Sequence, residues 1–320
     1  MLGSVWVPDP GTQALRRRIA RRASLIRQRT RAKNEVHAVL ARCLLGRSQL
    51  SDLFGKRGRA WLAALELSDP EESETVASCL RQIHFLGKEL AAIDAQLARF
   101  ALSSPQARRL MRIPGVGAAV AVTLLAAIGD ISRFHSARAL VAYLGLDPKV
   151  RQSGDDAPRY GRISKRGNAQ ARSVLVEAAW IALRQPGPLR AFGERIRARR
   201  GAHVAAVAVA RKIACLCFQL LRREEDYVYA QPSQVKARLR RTELAAGEPK
   251  LPKRHGGPRR LPTLAERHAE EELAGRHEAA YRRFIADWRA SGAGATRGRA
   301  SSEPSEAASS AAGEALTPAL

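Results

Sequence analysis

Ile113-Pro114-Gly115-Val116-Gly117-Ala118-Ala119-Val120-Ala121-Val122-Thr123-Leu124-Leu125-Ala126-Ala127-Ile128-Gly129 is the stretch on which the reading of this chain turns. From Ala118 to Ile128 the run is apolar on every side and Gly129 closes it, which predicts a buried helix. Ahead of it, Ser103-Ser104-Pro105 offers a capping serine and a proline for a first helical position. A short helix is therefore expected from there to about Arg112, ended by Pro114. Two helices joined by an h-G-h-G turn have the pattern of a helix-hairpin-helix. The glycines allow a tight turn with no side chain over it, and amides at the start of the second helix then face outward, where a phosphate can be held. Gly115, Val116 and Gly117 are accordingly candidate contacts to a nucleic-acid backbone, of the kind that positions a duplex without reading its sequence. The plain alternative is a tight turn with no ligand.

Downstream, Phe134 to Leu144 reads as another helix, with Ser136 near its start and Gly145 past its end. The segment from Gly145 to Asn168 is too rich in glycine, proline and charge to be a core element and reads as a loop. Its one small nucleophile in a glycine-flanked setting is Ser153, close in sequence to Arg151, Arg162, Lys165 and Arg166, with Arg172 following. A serine hydroxyl that attacks a phosphodiester needs cations to hold the phosphate and to stabilise charge building on its oxygens, and the guanidinium fork suits that geometry. The same serine also fits a hydrogen-bonding turn.

These motifs together resemble a family. Ile113-Pro114-Gly115-Val116-Gly117, Gly145-Leu146-Asp147-Pro148, Gln152-Ser153-Gly154, Arg162-Ile163-Ser164-Lys165-Arg166-Gly167-Asn168 and the run from Ala208 to Lys212 are similar to the carboxy-terminal domain of insertion-sequence 110 transposases. The likeness covers residues 4 to 230, with its most specific motifs between 111 and 172. It implies DNA transposition in bacterial mobile elements, with Ser153 as nucleophile and Arg151, Arg162, Lys165, Arg166 and Arg172 among the DNA contacts. It also implies a guide RNA as a second nucleic-acid partner. In that family the serine works with a resolvase-like domain bearing four metal-binding acids, placed ahead of a segment like Val5-Trp6-Val7-Pro8. Here four residues precede that segment, and Asp9, Glu35 and Asp52 sit on no apolar strand-like run. The expectation is a chain with no metal site or cofactor of its own, divalent magnesium entering only with the acidic domain. The alternative function is a truncated, inactive, nucleic-acid-binding relic, which an in-frame upstream extension would separate from an enzyme.

Composition points the same way. The chain has 320 residues, a net charge of +25 and a pI near 11.2, the electrostatic footprint of a polyanion binder. Aromatic residues make up 5 % and alanine and leucine abound, favouring helix over sheet. Cys43, Cys79, Cys215 and Cys217 lack zinc-site spacing and read as small apolar residues of a reducing cytoplasm. No signal peptide is visible, and the longest unbroken apolar run, Ala118 to Ile128, is too short to span a bilayer, so no membrane partner is expected.

Elsewhere, Arg16 to Lys33 holds nine basic residues and no acidic one in a helix continuing through Val36, Val39, Leu40 and Leu44. It reads as a nucleic-acid surface or a solvated face. Val76, Ile83, Leu90 and Leu97, with Cys79, Leu86, Ile93 and Phe100, make an a/d seam over four heptads. That seam suits a hairpin with the basic helix or a homo-oligomer through a 76–100 coiled coil. Helices are expected at Ala171 to Arg184, Leu189 to Arg200 and Ala205 to Leu221, where Arg211-Lys212 caps a core or reaches DNA. Residues 231 to 262 read as a flexible basic linker, and 264 to 290 as a short helix with Tyr281, Phe284, Ile285 and Trp288 on one stripe. Disorder is expected after Ala290. The fold expected is mainly α: a coiled-coil arm over 1–102, a compact helical domain over 103–230 holding the helix-hairpin-helix and the serine loop, and a flexible tail over 231–320.

Overall fold

The computed structural model describes residues 6–45, 50–154, 157–249 and 263–290. The chain is mainly helical: the described residues form eleven α-helices, a short 3-10 turn and one two-stranded sheet. They divide into two compact units, one running to Phe100 and joined by Glu243–Pro249, the other holding Ala101–Thr242 and the carboxy-terminal helix.

In the first unit, α1 (Pro10–Arg42) starts at Asp9, whose carboxylate accepts from the Thr12 N–H at 2.9 Å. A hydrogen bond from the Thr12 hydroxyl, with that from its N–H second, holds the Asp9 carboxyl below the usual carboxylate range. The heptad seam of α3 (Pro70–Ser103) packs on α1. Leu25 meets Leu86 and Leu90, while Val36, Val39 and Leu40 cluster with Val76, Cys79 and Leu62 of α2 (Lys56–Ala63). Arg22 pairs with Asp94 at 2.5 Å and Arg42 with Glu72 at 2.6 Å, so the two helices run antiparallel. Of the two uses open to the seam, the structure thus displays the hairpin within one chain. Arg17, Arg18, Arg21, Arg27 and Arg31 of α1 remain exposed to solvent.

In the second unit, α4 (Pro105–Leu110), α5 (Ala118–Ile128), α6 (Ala137–Tyr143) and α7 (Ala169–Ala182) lead to α8 (Pro188–Arg200) and α9 (Ala202–Arg223). Ser104, Ser136 and Asn168 cap α4, α6 and α7 by accepting from backbone N–H groups. α9 is the central element, packed against α4, α6, α7 and α8. By length and mean hydropathy, 1.9 over its best window, it is long and apolar enough to cross a bilayer. Over half of that window is buried inside the protein, however, which is the setting of a core helix. Lys212 lies within this packing, and burial lowers its pKa; the sequence left its role open between core cap and DNA contact.

Two expectations for the tail are corrected. Residues 232–246 are not linker but α10 (Pro232–Ala246). Its buried positions are Ser233, Arg238 and Thr242, a helical stripe made of polar side chains and hence invisible to hydrophobic periodicity. The 264–290 helix is present as α11 (Leu264–Ala290), but Phe284 and Trp288 are exposed. It docks instead along Ala274, Glu278, Tyr281 and Ile285. The Glu278 carboxylate, 3 % exposed, accepts from the Gly187 N–H at 2.6 Å and from Arg190 at 2.7 Å at the start of α8. Residues 250–262 and those after Ala290, read as linker and disordered tail, lie outside the described residues.

Candidate nucleic-acid interface

The h-G-h-G turn between α4 and α5 divides into an inner and an outer half. Gly115 has φ +84°, and a Cβ there would sit 2.1 Å from the Ala178 carbonyl oxygen of α7, so only glycine fits. Val116 is fully buried, and its N–H donates to the Ile113 carbonyl at 3.1 Å within the turn. As a backbone contact to DNA, Val116 is therefore out of reach. Gly117 differs from both, because a Cβ there meets nothing within 4 Å and the residue caps α5 without a side chain. The first turn of α5 is half-buried, and the space left at Gly117 gives room for an anion beside it. The turn itself is fastened from within by Arg238, whose guanidinium donates to the Met111 carbonyl and, at 2.9 Å, to that of Ile113. Burial pushes the Arg238 pKa down to about 10, which leaves it charged at neutral pH.

The segment read as a loop is a hairpin, β1 (Pro148–Arg151) and β2 (Arg159–Ile163), with Ser153 beyond the end of β1. Sequence missed it because neither strand alternates apolar with polar; nearly every residue is exposed on both faces. Its base is tightly bonded. The Ser164 N–H donates to the Asp147 carbonyl at 2.7 Å, and its hydroxyl to the Asp147 carboxylate at 2.5 Å. The Lys165 N–H donates to the Gly145 carbonyl at 3.2 Å, with Lys165 itself in the left-handed region at φ 55°. Arg172, at the start of α7, donates to the Leu144 and Lys165 carbonyls, both at 3.3 Å, and so holds the two feet together.

The register separates the predicted cations. Arg151 and Arg159 lie opposite each other across the ladder, so their side chains share one face, with Lys149 two residues below. Arg162 lies in the register shift between Tyr160 and Ile163, where strict alternation is interrupted. Lys165 and Arg166, level with the feet, are roughly 20 Å from Ser153 along a ribbon rising about 3.3 Å per residue. Ser153 is exposed, as are Lys149, Arg151 and Arg159. Arg159 is the residue that sequence reasoning passed over: it is eight positions from Arg151 along the chain but adjacent in the ladder. The hairpin foot and the glycine turn rest on the same helix, α7, at Arg172 and Ala178, about 9 Å apart along its axis.

Residues 107–194 match the model of the Transposase IS116/IS110/IS902 family. That stretch is thus similar to this family's transposase domain. Among its relatives, the transposase for insertion sequence element IS1111A of Coxiella burnetii is 31 % identical over 212 residues, covering 64 % of this chain and 58 % of the relative. The transposase for insertion sequence element IS1328 of Yersinia enterocolitica is 30 % identical over 207 residues, covering 60 % of this chain and 58 % of the relative. A pilin gene-inverting protein of Moraxella bovis is 27 % identical, with 43 % of this chain and 45 % of the relative covered. The chain thus spans less than two thirds of the length of these relatives.

The matched stretch runs from α4 into α8 and so contains the glycine turn, the hairpin and the helix that carries both. Arg238, which fastens the turn, lies beyond it. Among the described residues, no three His, Cys, Asp or Glu side chains stand together so as to hold a metal ion.

Proposed function

We propose that this chain binds DNA and acts in strand cleavage and transfer as an insertion-sequence transposase, with Ser153 as the nucleophile. The observation that carries the reading is an exposed serine at the far end of a cationic ribbon, two residues past Arg151, which opposes Arg159 across the ladder. In the step proposed, the Ser153 Oγ bonds to a backbone phosphorus as the bond to the departing deoxyribose oxygen breaks, and the proton lost by the serine hydroxyl is replaced on that oxygen, which leaves as a free hydroxyl. Arg151 and Arg159 hold the non-bridging oxygens and stabilise the charge gathering there. The α5 amino terminus at Gly117 offers a second, sequence-independent hold on the backbone. The exposed arginines of α1 offer a further surface for DNA or for a guide RNA, with salt-dependent affinity.

Ser153→Ala should abolish a covalent protein–DNA adduct while leaving binding to a mixed-sequence duplex within about twofold, since no phosphate contact is removed. An alanine variant that still forms the adduct overturns the assignment. A second reading is binding without cleavage, which the exposed cations of the hairpin and of α1 support equally. Its signature is duplex binding by the unaltered chain with no adduct under any divalent-ion condition.

A further inference from the structure

The two faces of the ribbon differ in chemistry. Lys149, Arg151 and Arg159 share one, while Val150 and Tyr160 oppose each other on the other; the register shift between Tyr160 and Ile163 interrupts the alternation at Gly161 and Arg162. Val150 is 54 % and Tyr160 70 % exposed, so no core covers this cross-strand pair. A two-stranded ribbon bare on both sides gains little from its own packing. Its β-branched and aromatic pair is therefore placed to be covered by a partner.

We propose that the Val150–Tyr160 face meets base edges in the major groove of duplex DNA, while Lys149, Arg151 and Arg159 reach the phosphates rimming that groove. This rests on the reading of Ser153 given above and extends it to how the duplex is seated. Charge complementarity selects the partner: a chain of net charge +25 that backs an exposed aromatic with three cations on the opposite face of the same ribbon suits a polyanion that also offers apolar surface, as base edges and thymine methyls do. Shape selects the form. The major groove of B-form DNA admits a two-stranded ribbon, whereas that of an A-form RNA duplex is too narrow. Long cationic side chains on the outward face bend along their stems to the groove rims. With the ribbon so placed, its tip comes to the backbone, where Ser153 acts.

The test uses the full chain and a mixed-sequence duplex carrying 5-bromodeoxyuridine. Irradiation should cross-link the base to the peptide bearing Tyr160. Tyr160→Ala should lower affinity roughly tenfold to a hundredfold without altering the slope of log affinity against log salt, and Tyr160→Phe should bind like the unaltered chain. Arg159→Ala should instead lower that slope by about 0.9. Cross-links that map elsewhere, an unchanged affinity for Tyr160→Ala, or an equal loss on an A-form RNA duplex would each overturn the proposal. Circular dichroism on each variant confirms that the helical core is intact. If Ser153→Ala still forms an adduct while the cross-link stays at Tyr160, the nucleophile assignment fails and the base contact stands. Loss of the cross-link with a Ser153-dependent adduct means the reverse.

Discussion

The foot of the hairpin and its strands look alike as sequence, both short on apolar residues and rich in glycine and arginine, yet they do opposite work. At the foot, Asp147, Ser164, Lys165 and Arg172 bond to one another or to backbone carbonyls. Along the strands, Lys149, Arg151 and Arg159 face solvent. The contrast teaches that an arginine's role is set by what its guanidinium meets. Arg172 and Arg238 satisfy carbonyl oxygens and hold backbone in place; Arg151 and Arg159 remain available to a ligand.

The contrast between inward and outward residues can be broken most severely at the glycine turn. Gly115→Ala forces a Cβ onto the Ala178 carbonyl at a positive φ and should destabilise the fold by at least about 3 kcal/mol in a denaturant titration. Gly117→Ala, with open space at that position, should change stability by about 1 kcal/mol or less. Equal losses for the two would erase the division of the turn. Next in size, Arg238→Ala strips the Met111 and Ile113 carbonyls of their donor and should cost about 2–3 kcal/mol by the same measurement.

Arg172→Ala sharpens the comparison at the hairpin. It should cost about 1–2 kcal/mol and suppress adduct formation, while the salt slope of DNA binding stays unchanged. A slope that falls by about 0.9 would show instead that Arg172 touches phosphate, as sequence alone suggested. Smallest in stability is Arg151→Ala, which should shift unfolding by less than about 0.5 kcal/mol yet reduce both the salt slope and the adduct yield.

Much of this was legible because its causes are local. Ser104, Ser136 and Asn168 cap the helices they precede, and Ala118–Ile128 has the bounds its composition predicts. The α3 seam is legible because a repeat of seven survives without knowing its partner. α10 was not, since its buried stripe is Ser233, Arg238 and Thr242 and only their tertiary partners make them core. α11 was misaligned for the same reason, its docking line running through a buried Glu278. The hairpin escaped because exposed strands carry no periodic signal.

By itself the sequence determined most of the helical elements and the cationic balance, because propensity, capping and charge act over a few residues. Only the tertiary structure decided that α1 covers the seam, that Val116 points inward, and that Arg159 rather than Lys165 stands beside Arg151. Those outcomes depend on which distant groups meet, and burial and strand register are properties of the assembled chain.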